Sequence, residues 1–391
     1  MFDAGKILAA LEDRRAGFTE AEAVSKADLE AINEALVTLE TLSGAEIEAR
    51  LPANRAGARP TSEYDAHPNL ILPFAHQWQN HRQAREWAAD ILRGVTTIAA
   101  DGSQITPSKD LSVPVGVVQV GWFENNHSSE GKYVKDIQVE VLTPAELVGT
   151  DLDDDDTSTF PDWRINMRRF TLEIERLIAF MEANIETQPK PLAFFDGSLI
   201  ISFAQHMQSN RQKQYSDAVL NLLDTSERTG VPVVGYIDTS YATDMVDMIT
   251  HVTDLQLTSR VSDGAVLRHR KMQWGDRSPI FICDRNDKLE VRFYERVCFT
   301  YLKTTSLNPP ARFDFPRWIY EAGDHERVID LVRAECVVGV GYPYALETAD
   351  AVAVLTMQDR ERFYRLFQQF TEGEGLELRF SRKSLSKRGR R

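Results

Sequence analysis

The sequence has few cysteines, and none of them is spaced as a metal-binding pair. Only Cys283, Cys298 and Cys336 occur in 391 residues, and no Cys-x-x-Cys pattern is present. Zinc sites and disulfide frameworks need several closely spaced cysteines. We therefore expect three reduced, buried thiols in a reducing compartment.

The sequence also lacks a long apolar run. No uninterrupted apolar stretch approaches the ~20 residues that a membrane-spanning helix needs. The segment Met1–Lys6 does not begin a signal peptide of the charged-then-apolar kind. The expectation is a cytoplasmic protein without a membrane partner, with enough hydrophobic residues, 42%, for a real core.

An excess of positive charge is absent as well, since the formal net charge is −14. This argues against a protein that coats nucleic acid through a bulk positive field, but an enzyme that contacts it locally remains compatible. The acidic run 151–156 predicts a solvated loop. The basic tail 382–391 is typical either of a disordered solubilising end or of a segment that touches phosphates or an acidic partner.

Helical periodicity dominates the N-terminal part of the chain. Apolar residues recur at helical spacing within residues 1–55, and 52–68 are rich in Pro, Ala, Gly and Arg. Residues 74–92 again have a helical pattern. We predict an N-terminal α-helical arm and linker over residues 1–92, followed by an α/β domain over residues 93–391.

Two apolar, strand-like runs are each followed by the tripeptide Asp-Gly-Ser. The first run, 95–100, leads to Asp101, and the second, 192–195, leads to Asp196. One Asp-Gly-Ser is usually only a turn, because Gly tolerates positive φ and Asp bonds nearby amides. Two such strand ends could instead hold two carboxylates at one edge of a sheet, as in a metal site, and both interpretations remain open.

β-Branched and alternating patterns over 113–123 and 133–142 predict two further strands. With the strand that ends at Asp101 they would form an antiparallel meander.

The helix predicted over 165–186 carries a carboxylate inside its apolar stripe. Glu173 falls among Phe170, Ile174, Leu177, Ile178 and Met181, whereas Glu175 is rotated away. A buried carboxylate needs a metal or a cation. The open alternatives for Glu173 are a metal and a salt bridge to Arg169.

A fourth carboxylate, Asp350, lies on a helix predicted from residue 345 to about 355. The order strand, helix, strand, late helix for Asp101, Glu173, Asp196 and Asp350 is that of ribonuclease-H-like nucleases. In such enzymes carboxylates hold two divalent ions that serve phosphodiester hydrolysis. Two other patterns are weak: Gly339-Val340-Gly341 lacks the third glycine of a dinucleotide fingerprint, and Ser198 lacks a nucleophile elbow.

The sequence resembles the NurA nucleases over residues 95–355. The matching pieces are the two Asp-Gly-Ser motifs, the helix with Glu173 between them, and the late segment Gly341-Tyr342-Pro343-Tyr344-Ala345-Leu346-Glu347-Thr348-Ala349-Asp350. The resemblance implies a ribonuclease-H-like mixed sheet with flanking helices. It also implies that Asp101, Glu173 and Asp196 are metal ligands, and Asp350 is the fourth candidate.

The implied activity is that of a DNA exonuclease or endonuclease that uses two ions of Mn²⁺ or Mg²⁺. The implied context is 5'-3' end resection in double-strand break repair, as a homodimer that works with a hexameric HerA-like ATPase. The family commonly has a histidine where this chain has Asp350 and often a lysine where it has Asp238. These differences, with the acidic surface, support an alternative: an adaptor that has lost catalysis and only docks on the ATPase.

Overall fold

The computed structural model describes residues 3–148, 162–285 and 294–376 as a mixed α/β protein. Its helices are α1 Ala4–Asp13, α2 Arg15–Leu39, α3 Gly44–Arg50, α4 Glu63–Ala66, α5 His81–Leu92, α6 Pro144–Val148, α7 Asp162–Ala183, α8 Ser209–Thr229, α9 Asp244–Thr253, α10 Asp263–His269, α11 Arg317–Glu321, α12 His325–Val338, α13 Tyr344–Ala353 and α14 Met357–Gly373. Its strands are β1 Gly57–Pro60, β2 Thr97–Ile105, β3 Gly116–Asn125, β4 Tyr133–Leu142, β5 Leu192–Asp196, β6 Val233–Ile237, β7 Phe281–Asp284, β8 Val297–Leu302 and β9 Ala311–Pro316. The predicted α/β class is confirmed. The acidic run 151–156 and the basic tail 382–391 lie outside the described residues.

The chain folds as two compact units. Unit 1 comprises residues 1–83, 198–200 and 235–325, and unit 2 comprises 84–197, 201–234 and 326–391. The domain boundary expected at residue 92 stays a prediction.

The sheet of unit 2 has the strand order β5-β2-β3-β4. The pairs β2/β3 and β3/β4 are antiparallel, which confirms the predicted meander, and β2/β5 is parallel. In the parallel pair Thr97 lies opposite Leu192 and Ala100 lies opposite Phe195. The next residues along both strands are Asp101 and Asp196. The register therefore brings these two aspartates to adjacent positions on neighbouring strands, whose axes are about 4.8 Å apart.

The prediction that β2 ends at Asp101 was wrong. The strand continues to Ile105, because Asp101 pairs with Gly121 of β3 and Ile105 pairs with Val117. Antiparallel pairing here overrides the turn preference of Asp-Gly. At the other motif the turn is real: β5 ends at Asp196, and Gly197 has a φ of 122°, in the range that favours glycine.

Helices α7 and α13 pack against β2 and β3. The predicted apolar stripe of α7 is confirmed for Phe170, Ile174, Leu177 and Met181, which are all buried, whereas Ile178 is only half-buried. Helix α13 approaches β3 closely at Gly121, where an added Cβ would lie 2.7 Å from the backbone nitrogen of Ala353. Both helices are thus held against the strand that carries Asp101.

Unit 1 has the strand order β1-β7-β8-β9-β6, with every pair antiparallel. The helix predicted over 74–92 is only partly formed, because α5 starts at His81. The preceding segment is instead bound to a turn: Leu72 and Arg277 exchange backbone hydrogen bonds, and the Phe74 N–H donates to Asp276. No helix within the described ranges combines the length and the apolar character needed to cross a bilayer.

Candidate active site

Asp101 and Asp196 form the centre of a carboxylate cluster in unit 2. The parallel register of β2 and β5 makes them neighbours, and their charges repel one another. Asp101 is half-buried within its strand, whereas Asp196 is exposed at the end of β5. The pair opens to solvent on the side of Asp196, where a ligand can enter.

Glu173 of α7 is the buried member of the cluster, with 3% of its surface exposed. Its Oε1 accepts a hydrogen bond from Nη1 of Arg169, one helical turn earlier, and the same Arg169 nitrogen donates to the carbonyl of Gly102. The salt bridge to Arg169, one of the two alternatives that the sequence left open, is therefore formed. The charges of Asp101 and Asp196 act on Glu173 as well.

The late helix brings Asp350 to the same region. Asp350 is exposed on α13, and its charge acts on both Asp101 and Asp196. Just before α13, the hydroxyl of Tyr342 donates a hydrogen bond of 3.2 Å to Oδ1 of Asp196. All four predicted site residues thus lie in unit 2 and interact electrostatically.

Burial raises the pKa values of three of the four acids. Burial, with the charges of Asp196 and Asp350, raises the pKa of Asp101 to about 6. Burial also raises the pKa of Glu173 to about 8, although the Arg169 guanidinium works against this shift. Although Asp196 is open to solvent on one side, desolvation by the neighbouring atoms raises the pKa of its carboxyl, and the charge of Asp350 adds to this; the hydroxyl of Tyr342 opposes the rise. A divalent cation would relieve this cost, because it replaces the repulsion among carboxylates by attraction.

The donor set fits a hard divalent cation. Carboxylate oxygens are the ligands that Mg²⁺ and Mn²⁺ prefer. Within the described residues, however, no three of the four carboxylates offer oxygens that all lie within 4.8 Å of one another. Ligation by three of them would require side-chain rotation, and Glu173 would in addition have to leave or share Arg169.

Three other residues singled out from the sequence make contacts outside the four carboxylates. Glu175 points away from the cluster and pairs with Arg168. Asp238 follows β6 in unit 1, where its carboxylate accepts from Thr239. Ser198 donates its hydroxyl to Asp314, also in unit 1, so its oxygen is hydrogen-bonded to an acid instead of to a histidine base.

Sequence reasoning missed the role of Tyr342 and the packing role of Gly102. The Tyr-Pro pair was visible as a motif, but nothing local indicates that the hydroxyl reaches Asp196. At Gly102 an added Cβ would lie 2.5 Å from Oε1 of Glu173 and 2.6 Å from Cγ of Arg169. The glycine therefore lets α7 approach β2 closely enough to bring Glu173 to the cluster.

A buried polar network supports the start of α13. Glu335 is fully buried: its Oε2 accepts from the backbone N–H of Ala345, and its Oε1 accepts from the hydroxyl of Thr97. His127 Nε2 lies 3.2 Å from the same Oε1. The network links the first residue of β2 to the helix that carries Asp350, and sequence patterns did not reveal it.

Comparison with known proteins gives a match to a domain family. The sequence model of the NurA domain matches residues 95–355, about two thirds of the chain. No curated protein matched. A solved structure of Aquifex aeolicus Argonaute shares 12% identity with a TM-score of 0.29, over 66% of this chain and 28% of that one. This chain thus spans less than a third of the Argonaute chain, and the likeness is too low to inform the fold. The domain match contains all four carboxylates, and the chain belongs to the NurA family of nucleases.

Proposed function

We propose that the protein is a divalent-metal-dependent DNA nuclease whose active site is the carboxylate cluster of unit 2. The observation that carries the proposal is the parallel register of β2 and β5, which makes Asp101 and Asp196 neighbours. Asp350 and Glu173 add charge to the same place. Family membership supports DNA as the substrate.

The four carboxylates would hold Mn²⁺ or Mg²⁺, which would supply an activated water and charge stabilisation for phosphodiester hydrolysis. Tyr342 orients Asp196 through its hydroxyl, and Gly102 admits the helix that carries Glu173. Arg169 holds Glu173 in place through the hydrogen bond that its Nη1 donates to Oε1. A two-metal arrangement and a ribonuclease-H-like fold are parts of this proposal, supported by the mixed sheet and by the order of the carboxylates.

The site is tested by Asp196→Asn, which removes the charge and keeps the shape. Purified Asp196→Asn protein is expected to lose manganese-dependent degradation of labelled linear DNA. Because the change also removes a charge that burial and Asp350 disfavour, the variant is expected to unfold at the same or a higher denaturant concentration than the wild type. Asp217→Asn is the matched control, because Asp217 lies on α8 of the same unit and pairs with Lys213 at the surface. Full activity of Asp196→Asn would contradict the site assignment.

Resemblance to the family also supports a homodimer that works with a HerA-like hexameric ATPase in 5'-3' end resection. Co-sedimentation of the purified chain with such an ATPase tests the partnership, and sedimentation of the chain alone tests the dimer.

The second candidate is an adaptor without catalysis. It is favoured by Asp350 and Asp238, which stand where the family commonly has a histidine and often a lysine. Wild-type protein that binds the ATPase but leaves linear DNA intact in Mn²⁺ would favour the adaptor over the nuclease.

A further inference from the structure

Unit 1 contains a cluster of aromatic side chains outside regular secondary structure. The rings of Trp78 and Trp274 have centroids 4.7 Å apart, and Phe74 lies 5.6 Å from Trp78 and 5.7 Å from Trp274. His76 adds a fourth ring, 5.3 Å from Phe74. His76 is exposed and the other three are partly exposed. The cluster therefore presents aromatic surface to solvent.

The backbone holds these rings firmly. Asp276 accepts hydrogen bonds from the backbone N–H groups of Phe74 and Gln273. The indole N–H of Trp274 donates to the carbonyl of Thr304. Gly275 has a φ of 83°, and an added Cβ would lie 2.5 Å from the ring of Phe74. The arrangement of the rings is thus built into the fold.

Basic residues precede Trp274 closely in the sequence. The sequence just before Trp274 reads Arg268-His269-Arg270-Lys271. Arg268 and Lys271 are exposed, and among the described residues neither has an ion-pair partner, whereas Arg270 pairs with Glu40. Burial and, to a smaller extent, the charge of Arg268 lower the pKa of Lys303, the neighbour of Thr304. The basic run 268–271 thus differs from the chain as a whole, whose net charge is −14.

We propose that this aromatic cluster, with Arg268 and Lys271, is a binding platform for an unpaired stretch of DNA. Bases would stack on the rings of Phe74, Trp78 and Trp274, and phosphates would contact the two cations. Aromatic surface next to cations is the combination by which proteins bind single strands without sequence preference. The proposal rests on the proposed nuclease function and narrows its substrate to DNA with a single-stranded part.

The test measures binding of labelled oligothymidylate to the full chain in EDTA, so that cleavage does not contribute. We expect Arg268→Ala/Lys271→Ala to weaken binding and to reduce the salt dependence, log Kd against log salt, by about 1.4, since each lost phosphate contact removes about 0.7. The control is Lys6→Ala/Lys26→Ala, which removes the same charge from exposed positions in unit 1. It is expected to bind like the wild type.

Stacking is tested at Trp78. Trp78→Ala is expected to weaken binding to the oligothymidylate on the order of tenfold, whereas Trp78→Phe retains a ring and retains binding. Neither change is expected to affect binding to a blunt duplex, whose bases are already stacked. Equal binding by the alanine and phenylalanine variants overturns the platform, as does equal binding by the two double variants. A wild type that binds in EDTA but does not cut DNA in Mn²⁺ contradicts the nuclease function instead.

Discussion

Replacing Glu173 by Gln removes an acid whose proton the folded protein retains well above the ordinary pKa of a glutamate. Burial raises its pKa from 4.5 to about 8. Between these two pH values the unfolded chain releases the proton and the folded chain keeps it. The free energy of unfolding of the wild type therefore falls as pH rises from 4.5 to about 8. The Glu173→Gln variant has no acid at this position, so this contribution to the pH dependence is absent.

The size of the effect follows from the two pKa values. One pKa unit corresponds to about 1.4 kcal/mol, so the whole difference amounts to about 5 kcal/mol. Between pH 5.5 and 7.5 the Glu173→Gln variant is expected to gain about 3 kcal/mol of unfolding free energy relative to the wild type. Any constant effect of the amide cancels, because only the change with pH is compared.

Urea titrations in EDTA at several pH values measure this difference. Glu175→Gln is the matched control, because Glu175 lies on the same helix but is exposed and paired with Arg168. Its difference from the wild type is expected to vary little with pH. An equally flat difference for Glu173→Gln would refute the placement of Glu173 in a desolvated carboxylate cluster. If Glu173 also binds metal, added Mn²⁺ is expected to stabilise the wild type at pH 7.5 more than the variant.

Three further changes test the surroundings of the site. Tyr342→Phe removes the hydroxyl that donates to Asp196. The bond is exposed and contributes on the order of 1 kcal/mol, so we expect the free energy of unfolding to fall by at most about 1 kcal/mol and the nuclease rate to fall several-fold as Asp196 loses its orientation; an unchanged rate would contradict the positioning role of the hydroxyl. Gly102→Ala is expected to lower the free energy of unfolding by about 1–3 kcal/mol through overpacking. The control Gly17→Ala, in open space within α2, is expected to be neutral or stabilising by up to about 1 kcal/mol. Equal effects of the two changes in urea denaturation would contradict the close approach of α7 to β2. Glu335→Ala is expected to lower the free energy of unfolding by about 3 kcal/mol, because it leaves buried donors without their acceptor, and an unchanged denaturation midpoint would argue against the network.

Much of the fold of unit 2 was predictable, because its determinants are local. The strand β4 and the apolar stripe of α7 were predicted correctly from residues close in sequence, although the apolar side chains of β4 before Leu142 are exposed. The end of β2 was not predicted correctly, because residues 101–105 are extended through their pairing with β3. The local turn preference of Asp-Gly-Ser is weaker than the pairing of five residues with β3.

The residues of the candidate site could be predicted from the sequence, but their side-chain contacts could not. Burial of Glu173 followed from its place in a periodic stripe, whereas its choice of Arg169 as partner depends on how α7 meets β2. The hydrogen bond from Tyr342 joins residues 146 positions apart in sequence. The aromatic cluster of unit 1 was missed for a similar reason, because spacing suggested that Trp78 lay on a helix, and the hydrogen bonds to Asp276 decide otherwise.

The close approach at Gly102 also limits how this chain can diverge. While position 173 is a glutamate and position 169 is an arginine, position 102 has no room for a side chain. A shorter residue at 173 would free that space and at the same time remove a carboxylate from the cluster. Substitutions at the two positions are therefore expected to occur together, and a relative with a larger residue at 102 is expected to lack the long acid on α7.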